Sequence, residues 1–528
     1  MPIDRRFLLA AGASLWALPA AVRAAVPHAP LEIASGWLNV RDFGAKGDGS
    51  TIDSPAIDRA IAAAASRGGG TVYFPAGVYA SYTIHLKSLV TLYLDRGATL
   101  LAASVPLEGT QNGYDNAEPQ DPAINPFQDY GHNHWRNSLI YGEGLHDIAI
   151  LGDGLIWGKG LSRGHPDPDL PRAELPGVGN KSIALKNCFN VQLRDFKILK
   201  GGHFAVLATG VDNLVIDNLT VDTDRDGFDI DCCKNVRVHN CTVNSPWDDG
   251  ICPKSSYALG YARTTENVTI SDCYVSGSYV IGSVLDGTYK PLDKADRAWR
   301  LGRIKCGTES NGGFKNITVT NCVFDQCWGL ALETEDGAIL EDITVSNISM
   351  RGLISSPIFL RLGRRMRGPK DTPVGSFKRV LIDNITCTGP TQFPVNIAGV
   401  AGHAVEDVKI SNLFFDQAGG GDAAMAALNP PANEENYPDP NMFGPLPATG
   451  FFIRNAKNIE VSHAEIKTRA ADARPAFWLQ DVDGFDGSFL KVPAAAPAFQ
   501  LDRVSGFRTF GSRDVPDKRF DTATSVKF

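Results

Sequence analysis

The chain has 528 residues, 53 of them glycine and 32 proline, and a formal net charge of −8 at pH 7. That balance argues against nucleic acid or an anionic membrane surface as a partner. The glycine and proline content suits a turn-rich β protein. Read from the N-terminus, Arg5-Arg6-Phe7-Leu8-Leu9 and the Ala/Leu-rich stretch behind them form a twin-arginine-type signal over residues 1–24, ending in Val22-Arg23-Ala24. The stretch is too short and too weakly apolar for a stable membrane span, and no other segment approaches the ~20 apolar residues a span requires. Twin-arginine export implies a bacterial product that is periplasmic or secreted. Removing residues 1–24 takes away three arginines and one aspartate, so the −8 becomes −10. Ser54-Pro55 followed by an Ala/Ile-rich run and Gly68-Gly69-Gly70 predicts a short helix. Its natural place is the open end of a stacked structure, where an uncovered edge invites aggregation.

Beyond residue 70 helical periodicity is nearly absent, and a different unit recurs. It begins with Asn or Asp and continues aliphatic, any residue, aliphatic, as in Asp147-Ile148-Ala149-Ile150, Asn190-Val191-Gln192-Leu193, Asn213-Leu214-Val215-Ile216 and Asn235-Val236-Arg237-Val238. Further copies start at Asn267, Asn316, Asp342, Asp407 and Asn458. Successive starts at 190, 213 and 235 lie 23 and 22 residues apart, and others are stretched by insertions. A period of this size marks a solenoid whose units cannot bury their apolar faces alone. The predicted fold is all-β, a right-handed parallel β-helix over residues 25–528 with a short N-terminal capping helix. Several of the ten cysteines hold one position in the repeat, Cys241, Cys273 and Cys322 among them, and read as interior thiols. A disulfide such as Cys232 with Cys252 stays open, because pairing cannot be read from sequence. No metal or organic cofactor is indicated.

Two long irregular stretches interrupt the repeat, about 108–137 and about 418–450, and loops of such length are usually functional or disordered. In the first, His132 and His134 read as satisfied surface histidines and Trp135 as local packing; the second carries Tyr437 and Phe443. The chemistry concentrates in Asp224-Arg225-Asp226-Gly227-Phe228-Asp229 and, one coil on, Trp247-Asp248-Asp249-Gly250-Ile251. Residues one coil apart in a β-helix stand about 4.8 Å from each other. Asp226 and Asp248, 22 residues apart, are therefore expected to face each other across adjacent coils. Crowded carboxylates cannot all ionise together, so one should hold a proton near neutral pH, and Asp248 is the expected holder. A protonated acid beside an ionised base is what glycoside hydrolysis requires, with ~6.5–9.5 Å between them when a water attacks directly. Arg303-Ile304-Lys305 places two cations on one face of a strand, a fork and a point charge for a carboxylate. Glu333, Glu335 and Asp336 follow about one coil later, as cleft lining or as a polar turn.

These motifs resemble glycoside hydrolase family 28, the polygalacturonase and rhamnogalacturonan hydrolase family, from about Asn39 to the last repeats. The opening Asn39-Val40-Arg41-Asp42-Phe43-Gly44-Ala45-Lys46-Gly47-Asp48-Gly49 is shared with other β-helix proteins. The family's Asn-Thr-Asp corresponds to Asp224-Arg225-Asp226, its Asp-Asp to Asp248-Asp249, and its Arg-Ile-Lys is unchanged at 303–305. Its Gly-His-Gly and the following Ser-Ile-Gly-Ser run correspond to Ser276-Gly277-Ser278 and Val280-Ile281-Gly282-Ser283, so Gly277 replaces the histidine. The resemblance implies a catalytic set of Asp248 as general acid with Asp249 and Asp226 holding the water. It implies Arg303 and Lys305 as uronate-binding groups, and Asp224 and Asp229 are counted with the substrate-binding residues. The implied enzyme is an inverting hydrolase of a galacturonic-acid-containing pectic glycan, and the departures at Asp224, Arg225 and Gly277 fit a relative acting on another pectic linkage or from a chain end, the latter favoured. Alternatives are a polysaccharide lyase on the same scaffold, or a glycan-binding β-helix without activity, in which the five charged groups would be dispersed.

Overall fold

A computed structural model describes residues 36–163, 167–277, 282–290, 300–494 and 496–528. The signal expected over 1–24 lies outside these residues, as do Ser278, Val280 and Ile281 of the segments matched to the family. From Leu38 to Phe528 the chain is one compact unit. It winds as a β-helix in which equivalent strands of successive coils pair in parallel.

The repeat positions explain the winding. Asp147, Asn190, Asn213, Asn235, Asn267, Asn316, Asp342, Asp407 and Asn458 all adopt positive φ, between 52° and 62°. Asn and Asp tolerate this left-handed conformation better than other residues bearing a Cβ. Their side chains then form a ladder along the solenoid: Asn190 donates to Asp147 (2.9 Å), Asn213 to Asn190 (2.9 Å), Asn235 to Asn213 (3.2 Å), Asn267 to Asn235 (3.0 Å) and Asn316 to Asn267 (2.8 Å). Behind the ladder the aliphatic positions stack in register, Val191 on Leu214 on Val236 on Val268 on Ile317 on Ile343, each buried. Burying such a side chain is worth roughly 1.5–3 kcal/mol, so the column stabilises every coil it crosses. Cys241, Cys273 and Cys322 are buried as expected, and all ten cysteines are free, so Cys232 and Cys252 form no disulfide here.

The helix α1, Ser54–Ser66, turns Ala56, Ile57, Ala60, Ile61 and Ala64 inward. Its N-cap is Asp53, whose carboxylate makes no capping bond to the helix and accepts from the Lys46 and Gly47 amides. At the far end Lys518–Ala523 runs antiparallel to Phe499–Phe510 and closes the last coil. Among the described residues no helix is long and apolar enough to cross a membrane.

One column of strands carries the motifs. It contains β1 (Phe204–Thr209), β2 (Asp226–Asp231), β3 (Ile251–Lys254), β4 (Lys305–Cys306) and β5 (Leu330–Thr334) on successive coils.

Candidate active site

The register of β2 on β3 corrects the expected facing pair. Phe228 stands opposite Ile251, and the Gly227 and Phe228 amides donate to the Asp249 and Gly250 carbonyls. The coil here is one residue longer than the one between Asn213 and Asn235, so Asp226 aligns with Asp249. Arg225 aligns with Asp248. The coils approach so closely that a Cβ on Gly227 would lie 2.3 Å from the Gly250 carbonyl oxygen, which is why the first motif carries a glycine there.

The three aspartates still share a site, since each offers a carboxylate oxygen within 4.8 Å of the others. Asp226 lies on one coil and Asp248 and Asp249 on the next, which brings the three together. Their environments differ sharply. Asp249 is buried; its Oδ1 accepts from Arg303 Nε (2.8 Å) and its Oδ2 lies 3.2 Å from Lys305 Nζ. Burial alone would raise its proton affinity, but Lys305 and then Arg303 outweigh that and hold its pKa at about 2. Asp226 is equally buried without such partners. Burial first, then the charges of Asp248 and Asp229, push its pKa well above the usual carboxylate range. Asp248 is the accessible member. Its Oδ2 accepts from Arg225 Nη2 (2.6 Å) and Nε (3.0 Å), and its Oδ1 from the Asp249 amide (3.1 Å). Of the three, the surroundings of Asp226 favour a protonated carboxyl.

Arg303 and Lys305 point the same way, as the alternation required, yet both are only 1% exposed. Lys305 Nζ donates to the Tyr437 hydroxyl (3.3 Å) and lies 3.7 Å from Glu333. Arg303 reaches Asp439 (3.4 Å) and Glu333 (3.9 Å) and lies over the Trp328 ring (5.0 Å). Glu333 is therefore part of the site. Asp336 binds Arg365 (2.5 Å) and Glu335 lies 3.7 Å from Arg361, each within the adjoining wall. Asp224 is held by Arg163 (2.7 Å). Asp229 meets His132 Nε2 (3.2 Å) and Lys254 (3.6 Å), which also pairs with Glu309 (3.1 Å). His132 and His134 are thus buried groups, correcting the surface reading, and His134 stacks on Tyr130. Trp135 does pack locally, donating to Thr209 (3.0 Å). Lys254 and Glu309 were missed, although Glu309 continues the alternation of Arg303 and Lys305 and so carried a legible signal. Gly277 has a structural cause: a Cβ there would lie 2.9 Å from the Arg300 carbonyl carbon, so that backbone leaves no room for the histidine. The three aspartates could share a cation by distance alone, but Arg225, Arg303 and Lys305 already supply their positive charge.

Glu333 gives a pH test. Burial, opposed by Lys305 and Arg303, raises its pKa to about 7. A raised carboxyl contributes stability that is complete below its ordinary value near 4.5 and is lost as pH climbs through 7. Glu333→Gln should therefore gain on the wild type between pH 5 and pH 8, by up to about 3 kcal/mol. Urea unfolding at both pH values measures this, and a difference that stays constant would refute it.

Carboxylates of unequal proton affinity beside fixed cations line one wall of a parallel β-helix, an arrangement suited to acid–base work on an anionic ligand. Sequence comparisons agree. The family described as Rhamnogalacturonase A/epimerase, pectate lyase-like matches residues 37–114, and Right handed beta helix region matches 181–347. A probable polygalacturonase of Vitis vinifera is 26% identical over 65% of this chain and 73% of its own. An exo-poly-alpha-D-galacturonosidase of Dickeya chrysanthemi is 32% identical over 28% of this chain and 25% of its own. The solved family 28 exopolygalacturonase of Yersinia enterocolitica shares the fold with a TM-score of 0.57 and 19% identity, covering 87% of this chain and 79% of that one. These matches are to right-handed β-helix proteins named as polygalacturonases, and this chain shares their fold.

Proposed function

We propose that the protein cleaves galacturonic-acid-containing pectic chains from an end, by inversion. Asp248 is the general acid, Asp226 the base and Asp249 the fixed carboxylate that helps orient the water. Arg303, Lys305 and Trp247, whose ring is 38% exposed beside Asp248, form the sugar-binding wall. The leader over 1–24 supports a periplasmic or secreted location. The observation that carries end-on action is the way the loops are tied together. The 108–137 stretch brings His132 to Asp229, and the 418–450 stretch brings Tyr437 and Asp439 to Lys305 and Arg303. Between them Arg367 lies 3.7 Å from Asp129, and Arg364 pairs with Glu435 (3.2 Å) and Glu434 (3.4 Å). Loops bridged in this way favour a site that admits a chain end over an open groove.

A second reading, retention through a covalent intermediate, is favoured by the short carboxylate spacing, since ~5–5.5 Å suits a direct nucleophile. Against it, both oxygens of Asp249 are held by cations, which weakens it as a nucleophile. Early time points on homogalacturonan test both questions. Mono- or disaccharide should appear while viscosity barely falls, and proton NMR should find the inverted anomer. A rapid viscosity drop would refute end-on action, and a retained anomer would establish the second reading.

A further inference from the structure

Arg225 and Asp248 present a conflict that the proposed reaction must resolve. A general acid has to present its carboxyl oxygen to the leaving group, whereas Asp248 Oδ2 is taken up by the Arg225 fork. Among the described residues Asp248 is the only hydrogen-bond partner of Arg225, engaged through Nε and Nη2, and Nη1 makes no hydrogen bond. The guanidinium stands beside the acid, so it stands beside the leaving oxygen that the acid serves. Arg303 and Lys305 gather instead on Asp249. Asp224 offers Arg225 no ready alternative, because Arg163 holds it at 2.7 Å.

Resting on the pectic reading, we propose that Arg225 recognises the carboxylate of the sugar on the leaving-group side and that, in turning onto it, it releases Asp248 to act as the acid. The released carboxylate takes the proton held by Asp226, whose oxygen lies within 4.8 Å, directly or through one water. Asp226 is left ionised and becomes the base; one proton has moved and the total charge of the three carboxyls is unchanged. The enzyme is then assembled for catalysis only by a substrate that carries a carboxylate at that position. A methyl-esterified or neutral sugar there leaves Asp248 locked. The charged groups that face the pair are Asp226, Asp249 and Asp439 around Asp248, and Asp129, Asp226 and His203 around Arg225. All belong to the cleft, so pH enters through this cluster as a whole.

The test compares trigalacturonate with its analogue methyl-esterified on the leaving-group side, using wild type, Arg225→Gln and Arg225→Lys. Wild type should favour the free acid at least tenfold in kcat/KM. Arg225→Gln should bring the ratio near one, chiefly through the free acid, and move the basic limb of the kcat/KM profile to higher pH. Arg225→Lys, a charge without the fork, should restore part of the ratio. Calorimetry supplies a readout without turnover. Asp248→Asn, which leaves Arg225 unpaired, should bind digalacturonate at least tenfold tighter than Asp248→Asn/Arg225→Gln, and the methyl ester equally in both. A free-acid preference that survives Arg225→Gln, in an enzyme that cleaves galacturonides, overturns the role of Arg225 and leaves the pectic reading intact. Galacturonides neither bound nor cleaved by any form overturn both.

Discussion

Asp248→Asn should lower kcat by about 10²–10⁴, the usual worth of general acid catalysis, without disturbing the fold. The fold should survive because Asp248 lies in a turn between coils, its side chain 21% exposed, and carries no part of the inner aliphatic column. Circular dichroism and the urea midpoint would show that the coils remain. The role itself is read by changing the leaving group. A galacturonide whose aglycone departs without protonation should recover much of its rate in Asp248→Asn but not in Asp226→Asn, because only the first lacks the acid. Near-normal turnover of Asp248→Asn on any pectic substrate would remove Asp248 from the mechanism. Loss of rate on both leaving groups alike would move it from proton donation to positioning.

Arg303→Leu should destabilise the protein by about 3–5 kcal/mol, the cost of removing one partner from a buried ionic cluster. Arg303 is 1% exposed and stands between Asp249 and Glu333, which are 2% and 0% exposed. Leucine fills part of its volume but leaves these carboxylates with Lys305 alone. The loss should shrink in Arg303→Leu/Glu333→Gln, where one of the stranded charges is gone, and urea unfolding of the four proteins closes that cycle. A single variant within 0.5 kcal/mol of wild type would mean that the cluster is hydrated and open and that its carboxylates do not depend on Arg303.

The fold was legible because its determinants are local. Each asparagine of the repeat announces a left-handed residue and each aliphatic pair an inward face, so period and strand type could be read along the chain. The triad was legible for the same reason, as two motifs one coil apart. What the sequence hid was the length of the coil between them. One additional residue relative to the asparagine column moves Asp248 from opposite Asp226 to opposite Arg225, and local pattern does not report which turn absorbs it. The position of the proton was hidden with it, since that depends on Arg225, Arg303 and Lys305, which come from different coils. Burial of His132 and the reach of Tyr437 and Asp439 into the site were out of view because irregular loops have no period to place them.

The side-chain ladder of asparagines has a consequence for how such a protein changes over time. Its rungs join residues 22 apart (Asn213 and Asn235) and residues 49 and 51 apart (Asn267 with Asn316, Asp407 with Asn458) with comparable bonds of 2.7–3.2 Å. The spine therefore keeps count of coils and is indifferent to how much chain each coil carries elsewhere. Segments inserted at the opposite edge can lengthen, shorten or be exchanged between lineages without re-indexing the scaffold. Specificity for a new glycan can thus be acquired by grafting loops, while the stack of coils beneath them is kept.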